Sequence, residues 1–175
     1  LIKKLVDEKL IYGLGVSLVT PTENFIKLVK QYPNAVIHVI NGVLRPSDIQ
    51  ALENHNLKIL ILGYKHLRRG DDFYDIDHDN IEIRQSWLYE NLSNIIEKFN
   101  VVSFDNLAIK QLNARRLMTD EEWNEFYMGD DGTMTYYIDM VERKFAKSST
   151  AAFDKRYDLL DSVDEMFEQI ISKQS

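Results

Sequence analysis

An α/β fold with a parallel sheet is predicted by three observations. Three strand-like runs, Gly15–Val19, Ala35–Gly42 and Lys58–Lys65, alternate with amphipathic helical stretches. Each run ends in polar or small residues. The spacing suits right-handed strand–helix–strand crossovers, which gather the strand C-termini into one rim. The first places to look for a ligand are therefore Ser17, Asn41, Gly42 and Lys65.

Residues 1–10 carry apolar side chains at 1, 2, 5, 6 and 10, a helical spacing, and Gly13 and Gly15 break the pattern before the first strand. The chain opens on Leu1 within that helical pattern, so it is expected to be part of a larger protein. Pro21, Thr22 and Glu23 start a helix that runs to about Tyr32, with Phe25, Ile26, Leu28 and Val29 on its buried side. Pro46 to Leu52 form a second helix, closed by Asn54, His55 and Asn56. The run ending at Gly63 is almost wholly apolar, as in a sheet covered on both faces.

Beyond Lys65 the composition turns polar, and residues 66–79 are expected to form a long exposed loop. A strong helix follows over about 80–99, with Ile83, Trp87, Leu88, Leu92, Ile95, Ile96 and Phe99 on one face. A fourth short strand at 101–104 leads into a helix over 106–116. Thr119 and Glu122 make a capping box for a helix holding Trp123 and Phe126. Residues 133–141 and 144–149 alternate as an antiparallel hairpin, and a last helix over about 157–172 is expected to bury Leu160, Val163, Phe167 and Ile170. The expected division is an α/β portion over 1–112 and a helical and hairpin extension over 113–175 packed on it, as one domain.

The 175 residues can bury about 70% of their unfolded surface. No apolar run reaches the ~18 residues of a membrane span and no signal peptide pattern is present, so a cytoplasmic location without membrane partners is expected. Acidic residues outnumber basic ones by 28 to 21, for a net charge of −7, which weighs against nucleic-acid binding. Cysteine is absent, so these residues offer no disulfide, no thiolate metal site and no cysteine nucleophile.

Several stretches are more specific than periodicity. Ser103–Leu112, Glu125–Gly132 and Tyr136–Val141 with Phe145–Ser149 occur in that order after Ile37–Gly42 and Ile61–Lys65. Together they resemble the later half of radical S-adenosylmethionine proteins of phage and prophage type, over about residues 11–150. The resemblance implies a partial (β/α) barrel with S-adenosylmethionine across the rim of strand C-termini, and a 4Fe-4S cluster held by a CxxxCxxC loop after the first strand. That cysteine motif is missing here, so both cofactors are expected of a parent protein, and this chain alone is not expected to be catalytic. The resemblance also makes the missing N-terminal half of the parent a partner. Within it, Ser17 would sit near the ribose, the strand ending at Asn41 and Gly42 would border the adenine, and Lys65 and Arg68 would face a carboxylate or the substrate.

Each candidate has a plainer alternative. Lys65, His66 and Arg68 form a basic segment where an anion site is expected in an α/β domain, or a solvated loop neutralised by Asp71 and Asp72. Asp105 and Asn106 can reach the rim, or cap the helix that follows them. His38, between apolar neighbours, reads as a hydrogen-bonded core residue. Asp75, Asp77 and Asp79 resemble the opening of a calcium loop, but Asn80 and Ser86 stand where Gly and Glu are required. Gly129–Gly132 reads as a tight turn, and no histidine is placed to activate Ser148 or Ser149. Two other functions stay open: a non-enzymatic interaction module that pairs with itself or a partner through open sheet edges, and a metal-independent domain binding a phosphate or carboxylate.

Overall fold

The computed structural model describes residues 1–67 and 69–173. The chain divides into two compact units, Leu1–Leu117 and Met118–Ser175. The first is α/β and holds α1 (Ile2–Asp7), β1 (Leu14–Ser17), α2 (Glu23–Lys30), β2 (Ala35–Ile40), α3 (Pro46–Leu52), β3 (Lys58–Leu62), α4 (Arg69–Ile96), β4 (Val101–Phe104) and α5 (Asn106–Leu112). The four strands are all parallel and lie in the sequential order β1-β2-β3-β4.

Sequential order with crossovers of one hand places every connecting helix on the same side of the sheet. The register shows it. Val16, Ile37, Ile59 and Val102 stand opposite one another across the four strands and face the core. Ile26 and Val29 of α2, Ile49 and Leu52 of α3, Leu88, Leu92 and Ile95 of α4, and Ala108 and Leu112 of α5 pack on that face. The next row, Ser17, His38, Leu60 and Ser103, points the other way. Its side is half-buried at best, and Ile40 in the same facing set is 41% exposed. The expectation of a sheet covered on both faces is therefore corrected: apolar β3 carries Leu60 and Leu62 on the uncovered side.

Most of the polar stretch expected as a loop is helical. From Arg69 onward it is the beginning of α4, with Asp71 and Asp72 in the first turn, where the helix dipole favours acids. Non-helical dihedrals at Asp77 (φ −134°, ψ 26°) break the axis inside this helix. Tyr74, Ile81 and Leu88 follow a seven-residue spacing that polar neighbours conceal. Ile83 faces solvent at 65% exposure, not the core. Leu28, expected on the buried side of α2, is also exposed.

The second unit holds α6 (Asp120–Phe126), β5 (Tyr137–Asp139), β6 (Lys144–Ala146), β7 (Tyr157–Asp158) and α7 (Val163–Ser172). Its strands form an antiparallel sheet in the order β5-β6-β7, around Phe145, Met166 and Ile170. Residues 157–158 extend this sheet instead of opening the last helix, which Ser162 caps by accepting from Glu165 N–H at 3.3 Å. Leu160 and Val163 are accordingly exposed. Among the described residues no helix is long and apolar enough to cross a membrane.

Candidate functional site

The C-terminal ends of the parallel strands carry two adjoining cavities. The first, about 300 Å³, opens on the uncovered side of the sheet and is lined by Ser17 of β1 and His38 of β2, with Arg45, Asp48, Asp77 and Arg84 around it. The second, about 450 Å³, lies over the end of β3 and includes Lys65 and Asp105. Ile40, Val43, Leu62 and Phe73 belong to both walls.

Ser17 and His38 meet because they are register partners on adjacent strands. The imidazole lies against the backbone of Gly15: a Cβ on Gly15 would stand 2.6 Å from Nε2. Glycine at this position is what lets the ring approach β1 this closely. His38 is thus a half-buried cavity residue and not part of the core, which corrects the sequence expectation.

Two arginine–carboxylate pairs border the same cavity. Arg45 Nε and Nη2 donate to Asp48 Oδ2 and Oδ1, both at 3.1 Å, and Asp48 Oδ2 also accepts from the Arg45 backbone N–H at 3.0 Å. That hydrogen bonding, then the carboxylate charge, raises the Arg45 guanidinium above its ordinary value. Arg84 Nη1 donates to Asp77 Oδ2 at 3.2 Å and approaches the Gly42 carbonyl at 3.5 Å. Asp77, at the break in α4, is held against the first turn after β2. Arg45, Asp48 and Arg84 carried no site signal in the sequence, and Asp77 drew notice only for its likeness to a calcium loop.

The other expected residues divide. Asn41 is 1% exposed and turned toward α5, donating to Gln111 Oε1 at 3.0 Å. Its Oδ1 accepts no hydrogen bond from the described residues. Gly42 has φ +88°, and a Cβ there would meet Ile81 Cγ2 at 2.8 Å, so it shapes the turn under α4. Asp105 accepts from Ala108 N–H at 2.7 Å, capping α5, and from Gly63 N–H at 2.9 Å, tying β3 to that cap. Asn106 is the first residue of α5. His66 packs edge-on against Tyr74 at 4.4 Å, with Asp71 Oδ1 3.9 Å from Nδ1. Arg68 lies outside the described residues. The structure thus brings Ser17 to one cavity and Lys65 and Asp105 to its neighbour, while Asn41 fastens the scaffold behind them.

Residues 75–80 lie within α4 and span its break at Asp77, and among the described residues no group of three or more His, Cys, Asp or Glu is arranged to hold a metal ion. No family, curated protein or solved structure matches the chain.

Proposed function

We propose that the chain is the later part of a radical S-adenosylmethionine protein, supplying the last strands of a partial barrel and the rim on which the cofactor's nucleoside end rests. The observation that carries this reading is the row Ser17, His38, Leu60 and Ser103. A parallel sheet in sequential order, helices packed on one face and the other left uncovered, is the arrangement that strands lining the inside of a barrel require. The ordered segments quoted above add the family to the geometry.

The 4Fe-4S cluster of such proteins does not fit the residues of this chain. It needs thiolates, and the sequence has no cysteine. No step through the cluster belongs to these residues, and its ligands are proposed to lie in a segment outside them. S-adenosylmethionine fits better: a cavity of about 300 Å³ at the strand tips, with a hydroxyl, an imidazole and two guanidinium groups on its walls, has the size and mixed lining of a small-molecule site. Bound there, the cofactor would supply radical chemistry only with an electron from the parent protein's cluster. These residues bind and orient it, Ser17 and His38 through hydrogen bonds and Ile40 and Val43 through apolar contact.

Two measurements test the reading. The coding sequence ahead of Leu1 is expected to contain CxxxCxxC within about one domain length, ~150 residues. Its absence there sinks the assignment. Calorimetric titration of the chain is expected to show S-adenosylmethionine binding that His38→Ala weakens. Binding of inorganic phosphate alone would instead favour a metal-independent anion-binding domain.

A further inference from the structure

The second cavity has a different lining. Ile40, Val43, Leu67 and Phe73 surround it, and each is between 37% and 43% exposed. Four large apolar side chains left open around one concavity mark a binding surface, because isolated exposed apolar residues are scattered and not grouped. Two cations and one carboxylate line it. The cations are Lys65 and Arg69, in a chain whose acids outnumber its bases. The carboxylate on the wall, Asp105, accepts from the N–H groups of Gly63 and Ala108 through Oδ1. Arg69 opens α4, the end of a helix where a cation is disfavoured, so helix electrostatics do not explain its place.

We infer that this cavity binds an organic anion with an apolar body, an aromatic or branched aliphatic group joined to a single carboxylate or phosphate. The body packs among Val43, Leu67 and Phe73, and the anionic end meets Arg69 and Lys65. Since the two cavities share Ile40, Val43, Leu62 and Phe73, the occupant lies beside whatever fills the first. That this occupant is the substrate rests on the function proposed above; the binding itself does not.

The test is a titration of the isotope-labelled chain with 3-phenylpropionate, followed by the methyl signals of Val43 and Leu67. The uncharged 3-phenylpropanamide and the bodiless acetate serve as controls. A dissociation constant of about 1 mM is expected for a ligand this small. Phe73→Ala is expected to weaken binding about tenfold through lost apolar burial. Arg69→Gln is expected to weaken it about threefold, the size of a solvent-screened ion pair. Both side chains are exposed, so neither variant puts folding at risk. Equal binding of the acid and its amide, or unchanged affinity in both variants, overturns the inference. Titrating the same sample with S-adenosylmethionine, read at the His38 imidazole, keeps the two proposals apart. A response at His38 without one at Leu67 sinks this cavity's assignment alone, and the reverse pattern sinks the nucleoside assignment and leaves this one standing.

Discussion

The Asn41 amide donates to Gln111 Oε1 at 3.0 Å, and the same oxygen accepts from the Tyr64 N–H at 2.9 Å while Gln111 Nε2 donates to the Tyr64 carbonyl at 2.8 Å. One side chain of α5 thus fastens the ends of β2 and β3, where both cavities begin. Gln111→Leu leaves the buried Asn41 amide and both Tyr64 backbone groups without these partners. Water reaches the outer side of Gln111, so the expected loss is about 1–2 kcal/mol, below the full penalty of a sealed polar group. Urea unfolding measures it, and faster amide exchange at Tyr64 should accompany it. An unchanged midpoint would show that the clamp adds nothing.

Gly15 and His38 are expected to be energetically coupled. Gly15→Ala drives a methyl into the imidazole and should destabilise the unit by about 1–3 kcal/mol, the range for overpacking. In a His38→Ala background the same change should be almost harmless. A double-mutant cycle giving a coupling of about 1 kcal/mol or more supports the contact, and additive effects refute it.

In the second unit, Arg156 Nη1 lies 3.4 Å from Asp139 Oδ2, with side chains only 9% and 6% exposed. Asp139 Oδ1 also accepts from the Val141 and Glu142 N–H groups at 3.1 Å, and Arg156 Nε donates to the Ala151 carbonyl at 3.1 Å. Arg156→Met takes a cation from a buried carboxylate that keeps its bonds from the Tyr137 hydroxyl and the two N–H groups, and should cost about 3 kcal/mol, the low end for a broken buried pair. Thermal melts followed by tyrosine near-ultraviolet dichroism report on it. A loss under half of that would mean the pair is solvated.

Burial, then the charges of Asp71 and Asp77, raise the Tyr64 phenol above its ordinary value of 10.0, and its hydroxyl donates to the Gly70 carbonyl at 2.7 Å. Between the ordinary and the raised value the unfolded chain has released this proton and the folded chain keeps it. Its stabilising contribution is therefore complete below about pH 10 and lost as pH rises through the folded value. Tyr64→Phe should flatten the alkaline fall in stability. The slope will not vanish, because Tyr74, Tyr127 and Tyr136 are raised too. An identical slope in the variant would place the effect on those residues.

Which parts of this were legible in the sequence follows from periodicity. β2, β3 and β4 announce themselves through Val, Ile and Leu, the hairpin through alternation, and three of the caps through Thr22, Asp105 and Thr119, whereas the Ser162 cap was missed and the last helix was placed too early. The start of α4 was hidden because its first turns are polar on nearly every side, which reads as solvated loop. The uncovered sheet face was hidden for the opposite reason: Leu60 and Leu62 are as apolar as buried residues. Ser17 and Lys65 were found by their position at strand ends. Arg45 and Arg84 were not, and His38 and Asp77 were read as a core residue and part of an acidic loop, because their meeting depends on strand register and on a helix folding back over the rim, neither of which local composition encodes.

The dihedral break at Asp77 has a mechanical consequence. Phe73 stands before it and Arg84 after it, so two residues lining the first cavity belong to separate rods joined at a single residue. The downstream rod is anchored by Ile81, Leu88 and Leu92, whereas the upstream rod is held by the Tyr64 hydroxyl on the Gly70 carbonyl and by the Tyr74 hydroxyl on Glu82. A ligand pushing on Phe73 would therefore load those two hydrogen bonds before it disturbed the anchored rod.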